Sequence, residues 1–281
     1  MSASDPVRDQ DPDPVSEHPL SDVPQHDLMG IKVSTPTMSQ LMSTLDESLE
    51  LRRSTTVTFV NPNYALAARR DDSLRRLIGE FDIDLVDGWG ISVAARLFGF
   101  KVPERLANDD IGTPLFALLS ARRARVFLFG SAPGTPEQAA TVLRRFYPGI
   151  EIVGTQTGWV DVLAGHPRRF EPEDLEPVVD AINESNADFV MVGLPTPHQQ
   201  RFVVEYRDRI QAPVIMTGGS YLDHLTERIE WYPAWVKRLR ICWLYRLVQD
   251  PKRLWYRYSI ELLDFGREVV RARLVPREHR A

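Results

Sequence analysis

The chain has 281 residues, of which 43% are hydrophobic and 26% are charged, and its formal net charge at pH 7 is -5. That composition is ordinary for a globular protein with one large core or two small ones. It holds a single cysteine, Cys242, which excludes an intramolecular disulfide and a thiolate metal site. No window of about eighteen residues is apolar and uncharged, and the N-terminus lacks a secretory pattern, so the sequence predicts a cytoplasmic protein without a spanning helix.

The first 27 residues differ from the rest of the chain. They are rich in Asp, Pro and Ser, contain one arginine and have almost no apolar pattern. Such a segment cannot bury enough surface to offset its ordering entropy. The sequence therefore predicts a disordered acidic tail at residues 1–27, an α/β domain at residues 28–228 and a C-terminal appendage at residues 229–281.

From Ile31 onward, short β-branched or apolar runs alternate with amphipathic stretches. The predicted strands are Ile31–Val33, Thr56–Val60, Asp84–Val86, Arg125–Phe129, Glu151–Thr155, Asp188–Val192 and Val214–Thr217. The predicted helices are Met38–Leu51, Asn63–Arg69, Gly90–Phe98, Thr113–Arg122, Pro136–Phe146, Asp174–Asn186 and Gln199–Ile210. This alternation predicts an α/β fold with a mainly parallel sheet, in which a ligand would lie beyond the carboxyl ends of the strands.

Polar side chains follow two of the predicted strands. Asn61 lies between a strand and a helix, where it could cap the helix or help an anion to bind the free N–H groups there. Asp87 follows the next strand and is succeeded by Gly88 and, after one residue, Gly90. A carboxylate at this place could act as general base toward a sugar hydroxyl, and the glycines would let a ligand approach the backbone. An ordinary turn is the alternative.

Two further loops combine glycine with proline. Gly130 and Gly134 follow a strand, but their spacing matches neither the dinucleotide-binding nor the P-loop glycine pattern, which counts against both classes. Gly193 begins a loop whose two prolines precede His198 and Gln199. Gln199 could donate and accept hydrogen bonds to a sugar or a base. His198 could be a base, although nothing in the sequence pairs it with an orienting acid.

The last predicted strand is followed by a pair of glycines. Gly219, the second of them, would permit close approach of a ligand to the backbone. Asp223 could bind a ligand hydroxyl, although capping a helix is the expected role. Earlier in the chain, Arg105 could clamp a phosphate or pair with Asp109 or Asp110.

The charge of this acidic chain is polarised toward its C-terminal part. Between Trp231 and Tyr258 lie four of the six tryptophans, and from Lys237 to Arg257 seven basic residues face one acid, Asp250. Interleaved aromatic rings and guanidinium groups suit a lipid interface, where rings lie among headgroups and arginines hold phosphates. The dense Trp and Tyr content favours this interpretation over nucleic-acid binding.

Taken together and in order, these segments resemble the WecG/TagA/CpsF glycosyltransferases of family 26. The resemblance covers about Ile31 to Tyr258. Its points of match are Asn61-Pro62, Asp87-Gly88 with Gly90, Pro103 with Arg105 and Asp110, Phe127–Gly130 with Pro133-Gly134, Tyr147–Gly149 with Ile152–Gly154, Gly193 with Pro197 and Gln199, Gly218-Gly219 with Asp223, Trp243–Leu247, and Pro251 with Arg253, Trp255, Arg257 and Tyr258.

The resemblance implies a Rossmann-like fold with helices on both faces of the sheet. It implies an inverting glycosyltransferase, of hexosyl, N-acetylhexosaminyl or uronosyl type, that moves a sugar from a UDP-sugar to a polyprenyl-diphosphate-linked acceptor in cell-surface polysaccharide biosynthesis. The protein would be peripheral on the inner face of the cell membrane. No cofactor and no divalent metal are implied, and nucleic acid is not an expected partner, whereas a homo-oligomer is left open.

The resemblance also assigns roles to the residues singled out above. Asp87 would be the base and Gln199 would assist it, while the donor would be bound by Asn61, Gly88, Gly130, Gly134, Gly193, Gly219 and Asp223. The acceptor diphosphate and the membrane would be held by Arg105, Arg246, Arg253 and Arg257. Asp82 and Asp84 have the spacing of the metal-binding acidic pair of many glycosyltransferases, but they start a strand that is predicted to be core.

One alternative follows from positions where the chain departs from the family pattern. Trp231 replaces an arginine, Cys242 replaces a glutamate, and His198 and Gln200 flank Gln199 in place of lysine and glutamate. The departures near Trp231 and Cys242 motivate a second hypothesis, a non-catalytic homologue that binds a sugar nucleotide or a lipid carrier.

Overall fold

The structure is a computed structural model that describes residues 23–160, 168–169, 174–226, 232–233, 235–236, 242–249 and 251–274. An eight-stranded sheet runs through its centre in the order β1-β2-β4-β3-β10-β9-β5-β6, and β7 and β8 form a separate antiparallel pair. The strands are β1 Gln25–Leu28, β2 Ile31–Ser34, β3 Thr55–Val60, β4 Ile83–Val86, β5 Arg125–Gly130, β6 Glu151–Gln156, β7 Trp159–Val160, β8 Arg168–Arg169, β9 Phe189–Gly193 and β10 Val214–Thr217.

Helices connect the strands and lie on both faces of the sheet. They are α1 Met38–Glu50, α2 Pro62–Arg70, α3 Asp72–Gly79, α4 Trp89–Leu97, α5 Asn108–Ala121, α6 Thr135–Phe146, α7 Glu176–Glu184, α8 His198–Tyr206, α9 Tyr221–His224, α10 Cys242–Gln249 and α11 Pro251–Leu274. Every pairing within the large sheet is parallel except that of β1 with β2. The predicted Rossmann-like α/β fold with a C-terminal helical appendage is confirmed.

The alternation of side chains along each strand explains the two layers of helices. In β5, Val126 and Leu128 belong to a core cluster shared with α1, α5 and α6, whereas Phe127 and Phe129 belong to a cluster shared with α7 and α8. Successive side chains of a strand point to opposite faces, and both faces of a parallel sheet are normally covered. The continuous apolar runs in the sequence therefore correspond to strands buried on both sides.

The structure differs from the prediction at the acidic tail, at the start of α5 and at α3. β1 begins at Gln25 and pairs with β2, so the tail predicted to reach Asp27 stops short of that residue, and residues 1–22 lie outside the described part. α5 begins at Asn108 rather than at Thr113, because Asp110 accepts a hydrogen bond from the Ala107 N–H and satisfies the helix start. α3 was not predicted; Asp71 caps it by accepting the Ser73 N–H at 2.8 Å.

The last helix packs against the α/β domain. Phe265 and Val269 of α11 are buried in one cluster with Val60, Tyr64 and Ile91 from the sheet, α2 and α4. An ion pair between α2 and α11, Arg69 Nη2 to Glu268 Oε1 at 2.7 Å, adds a second contact. Within the described residues, no helix is both long enough and apolar enough to cross a membrane.

We expect Phe265→Ala to loosen α11 before the sheet unfolds. Phe265 is 3% exposed, and truncation of a buried phenylalanine typically costs about 3–5 kcal/mol. Hydrogen exchange should show faster exchange of the α11 amides, together with a lower melting temperature. Leu263→Ala is the matched control, since Leu263 lies on the same helix but is 65% exposed. Equal exchange rates in the two variants would contradict the assignment of Phe265 as the anchor of this helix.

Candidate active site

Five strands that are neighbours in the sheet end at one edge, in the order β4, β3, β10, β9 and β5. At or just after these ends lie, respectively, Asp87, Asn61, Gly219, Gln199 and Gly130; Gly130 is the last residue of β5, and Gln199 is the second residue of α8. Ligands of open α/β sheets bind in the crevice outside these carboxyl ends. The five loops that sequence analysis singled out are thus brought together at one edge of the sheet.

Asp87 sits where β4 passes into α4. Its backbone N–H donates to the Val60 carbonyl oxygen at 2.9 Å, which ties the end of β4 to the end of β3. Its side chain is half-buried, and the next residue, Gly88, starts α4 with φ at 100°. A left-handed φ of this kind favours glycine. Gly88 therefore serves the turn that presents Asp87.

The loop after β3 lies against the Asp87 loop. Asn61 caps α2, with its Oδ1 accepting the Tyr64 N–H at 3.0 Å. Pro62, the first residue of α2, would lie 3.1 Å from a Cβ atom added to Gly90 and 3.7 Å from one added to Gly88. The two loops are close enough to form one wall of the crevice. The cap is the role of Asn61 seen in the structure, and donor binding by this residue stays a prediction.

Gln199 connects the loops after β9 and β10. Its side chain is 5% exposed; Oε1 accepts the Gly219 N–H at 2.9 Å, and Nε2 donates to Thr196 Oγ1 at 3.4 Å. Gly219 has φ at 51°. A buried amide held from both ends has a fixed orientation, because each polar atom already has a partner. His198, the first residue of α8, is exposed instead.

Gly130 and Gly193 are register partners at the ends of β5 and β9. A Cβ atom on Gly130 would lie 2.4 Å from the Gly193 carbonyl group, so no larger residue fits without a shift of the backbone. Gly134 has φ at 84° and precedes α6. The backbone alone accounts for glycine at these positions, and their contact with the sugar-nucleotide donor stays a prediction.

Sequence analysis missed a buried hydrogen-bond network directly beneath the crevice. Gln200 Nε2 donates to Thr58 Oγ1 at 3.2 Å, and the Thr58 and Thr217 hydroxyl oxygens are 3.0 Å apart. The network joins the start of α8 to β3 and β10. The available signal was the row of threonines in β3, at positions where a fully apolar strand was expected.

The remaining predicted site residues are Asp223, Arg105 and the C-terminal arginines. Asp223 is exposed within α9, whose first turn is preceded by Ser220, so the predicted capping role of Asp223 is wrong. Arg105 Nε lies 3.3 Å from Asp110 Oδ2, the pairing that sequence analysis gave as the alternative to a phosphate clamp. Arg246 lies in α10, and Arg253 and Arg257 lie in α11, but their side chains are outside what the structure describes.

Comparison with known proteins identifies the family. The sequence profile of the glycosyl transferase WecG/TagA/CpsF family matches residues 26–279. The chain belongs to this family. The match covers nearly the whole chain, including α10 and α11.

Curated relatives agree with this membership. The chain is 28% identical over 197 residues, 70% of its length and 72% of the relative's, to the N-acetylglucosaminyldiphosphoundecaprenol N-acetyl-beta-D-mannosaminyltransferase of Bacillus subtilis (strain 168). The Bacillus spizizenii enzyme of the same name is 29% identical over 206 residues, 73% and 75% of the two chains. A Staphylococcus aureus (strain MW2) enzyme of that name is 23% identical over 242 residues, 85% and 90% of the two chains. The protein is a glycosyltransferase.

Asp82 and Asp84 both contact polar or basic side chains inside the fold. Asp82 Oδ2 accepts hydrogen bonds from the Thr56 N–H at 2.8 Å and from the Thr56 hydroxyl at 2.7 Å, and Arg207 Nη2 lies 3.4 Å away. Asp84 is fully buried, with Lys32 Nζ 3.3 Å from its Oδ2. Within the described part of the chain, no group of three or more His, Cys, Asp or Glu residues could hold a metal ion.

Burial dominates the protonation of Asp84. Desolvation raises its pKa to about 8, the nearby Lys32 ammonium opposes the shift, and the Asp82 carboxylate adds to it. Burial also raises the pKa of Tyr64, and the carboxylate of Asp84, in its ionised form, adds to that shift. Asp84 is therefore neutral in the folded protein over a range where it is ionised in the unfolded chain.

We expect folding stability to fall as the pH rises from about 4 to 8 because of Asp84. In this window the folded state keeps a proton that the unfolded state has released, so the unfolding free energy declines by up to about 1.4 kcal/mol per pH unit. Urea unfolding at several pH values should show this decline in the parent and a flatter profile in Asp84→Asn. Asp208→Asn, at a side chain 97% exposed, should follow the parent. Parallel profiles for all three proteins would show that Asp84 is ionised in the folded state.

Proposed function

We propose that the protein transfers a sugar, with inversion, from a UDP-sugar to a polyprenyl-diphosphate-linked sugar in cell-surface polysaccharide biosynthesis. The relatives' names, which specify an N-acetylmannosaminyl group and an N-acetylglucosaminyl diphosphoundecaprenol, support an N-acetylhexosamine donor and a lipid-diphosphate acceptor. The observation that carries the proposal is the meeting of the Asp87 loop and the Gln199-linked loops at one edge of the sheet. β4 and β9 are three strand spacings apart, about 14 Å, which leaves room for two substrates.

Asp87 acts in this proposal on the acceptor. Its carboxylate takes the proton of the attacking hydroxyl as that oxygen bonds to the anomeric carbon, and the bond from that carbon to the diphosphate breaks on the opposite face. The half-buried position beside Gly88 lets the acceptor reach the carboxylate. UDP leaves as an anion. The step therefore needs hydrogen-bond donors around the diphosphate, and it needs no acid to protonate the oxygen that leaves the sugar.

The donor side is formed by the loops with glycine and by backbone N–H groups. Gly130, Gly134, Gly193 and Gly219, together with Gly88, allow close approach, and helix starts such as that of α6 favour a diphosphate. Asn61 and Asp223 are the other residues that we propose to bind the sugar-nucleotide donor. Gln199, whose orientation is fixed by Thr196 and Gly219, shapes the crevice between the β9 and β10 loops.

We expect Asp87→Asn to lower kcat by roughly 10²–10⁴-fold while the protein stays folded, since proton transfer by a positioned side chain is typically worth this factor. The measurement is turnover with a UDP-N-acetylhexosamine and a lipid-diphosphate acceptor. Asp180→Asn, at an exposed carboxylate on α7, is the control and should keep the parental rate. The assays are run in EDTA, because we propose a reaction without a divalent metal.

Near-parental turnover of Asp87→Asn would remove Asp87 from the role of base. Turnover that requires added Mg²⁺ or Mn²⁺ would direct attention to Asp82 and Asp84. Absence of turnover in the parent with any UDP-sugar, alongside tight sugar-nucleotide binding, would favour the non-catalytic alternative.

We also propose that the C-terminal appendage, from about residue 229, docks the enzyme on the inner membrane face and holds the acceptor diphosphate. Arg246 belongs to α10, and Arg253 and Arg257 belong to α11, so these basic residues occur on two successive helices. Trp255 of α11 is 65% exposed, as an interfacial ring requires. Arginine stays charged and binds phosphate oxygens bidentately, which suits a diphosphate. Arg105 is the fourth proposed ligand.

We expect the double variant Arg253→Ala and Arg257→Ala to raise KM for the lipid-diphosphate acceptor and to weaken binding to anionic vesicles at low salt. Each basic residue near an anionic surface contributes about 1 kcal/mol, and salt screens it. The KM for the UDP-sugar should change little, since that substrate is assigned to the strand ends. Arg144→Ala with Arg145→Ala, an exposed pair on α6, is the charge-matched control. Unchanged acceptor KM and vesicle binding would make this segment ordinary surface.

A further inference from the structure

The helix that follows Asp87 has two apolar faces. Its inner face, with Ile91, Ala94 and Ala95, is buried in the core. Its outer face presents Trp89, Val93 and Leu97, which are 50%, 44% and 51% exposed and recur every four residues. Residues at this spacing lie on one side of a helix. Packing into the core explains why the inner face is apolar, but it does not explain the apolar residues of the outer face.

α11 runs beside α4 and continues that surface. Near the start of α4, Leu262 Cδ1 would lie 3.4 Å from a Cβ atom on Gly90, and near its end Arg273 Nε donates to the Leu97 carbonyl oxygen at 3.1 Å. The outer side of α11 presents further apolar side chains. We call the two-helix surface the α4–α11 face and define it by Trp89, Val93, Leu97, Leu263, Val270 and Leu274, of which the last three are 65%, 52% and 74% exposed.

Most of the charges around this face are positive. α4 contains no acid, and its Arg96 is exposed. In the last turns of α11, three arginines are exposed, namely Arg267, Arg271 and Arg273. Two acids of this half of α11 are paired with arginines: Glu268 with Arg69 at 2.7 Å, and Asp264 with Arg267 at 3.4 Å and Arg70 at 3.7 Å. A third acid, Glu261, is half-buried. An apolar helical surface bordered by cations is complementary to the anionic surface of a bilayer.

We propose that the α4–α11 face lies on the anionic membrane surface, so that α4 of the α/β domain adds a membrane contact to that of the C-terminal appendage, to which α11 belongs. Trp89 is two residues from Asp87, so the contact would bring the crevice to the level of the lipid headgroups. The inference rests on the proposed function for the identity of the membrane-bound substrate, but lipid binding by this face can be measured without any substrate.

The decisive variant replaces Val93 and Leu97, which are exposed and have no assigned role in binding or catalysis. Val93→Glu with Leu97→Glu should lower partition onto phosphatidylglycerol-containing vesicles by about tenfold or more, because two apolar contacts are lost and two like charges are added. Leu51→Glu with Phe146→Glu, at two side chains that are each 55% exposed and lie outside this face, is the matched control and should bind as the parent does. Sedimentation with vesicles measures the partition, with phosphatidylcholine vesicles as the uncharged comparison.

A label reports on the same contact directly. Cys242 is the only cysteine, so an environment-sensitive dye can be attached at Val93→Cys or, as control, at Phe146→Cys, each combined with Cys242→Ser. Anionic vesicles should shift the emission of the dye at position 93 to shorter wavelength and leave the control unchanged. Emission at position 93 that vesicles do not shift, or equal partition of the two glutamate variants, would overturn the proposal.

Oligomeric state and turnover distinguish a membrane contact from a contact between copies and from the proposed function. If the parent is an oligomer that dissociates in Val93→Glu with Leu97→Glu, without loss of vesicle binding, the face is a contact between copies and the proposal is wrong. In turnover assays, the variant should use a short, water-soluble acceptor at the parental rate and a vesicle-embedded acceptor more slowly. Vesicle binding through this face by a protein that transfers no sugar would contradict the proposed function alone.

Discussion

Parallel pairing of β4, β3, β10, β9 and β5 is the constraint on which the rest of the molecule depends. Parallel neighbours all end on the same edge, so five loops that are far apart in the chain open into one crevice. The pairing also sets local demands: Gly130 must be glycine because β5 and β9 end against each other, and Gly88 must be glycine because the chain turns sharply into α4. The residues proposed to act on the substrates lie at the carboxyl ends of these parallel strands.

Polar groups beneath the crevice join the elements that surround the site. Thr58 accepts from Gln200 and lies at hydrogen-bond distance from Thr217, which joins β3, β10 and the start of α8 inside the protein. These two contacts restrict the side chains that they join, while the other polar atom of the Gln200 amide, the buried Oε1, accepts no hydrogen bond within the described residues. Since Gln199 adjoins Gln200, the fixed start of α8 also fixes the amide that connects the β9 and β10 loops.

The sheet was predictable because its strands are buried on both faces and read as apolar runs between amphipathic helices. β1 was missed because its sequence, Gln25–Leu28, is mostly polar, and it forms only through pairing with β2. The loops of the candidate site were predictable from their position after strands. Their contacts were not, because the partners are remote in sequence: Gln200 and Thr58 are 142 residues apart. Asp223 shows the same limit, since its place inside α9 depends on how the β10 loop turns.

A short polar strand protects one border of the large sheet. The four-residue β1 covers β2, whose Ile31 and Val33 are fully buried, and puts the polar Gln25 and Asp27 outside. Short outer strands with polar side chains discourage edge-to-edge association of sheets. A fragment that began at Ile31 would lose this cover and leave the β2 hydrogen-bonding groups open to another chain. Soluble expression of the α/β domain therefore depends on keeping a strand whose sequence looks like part of the tail.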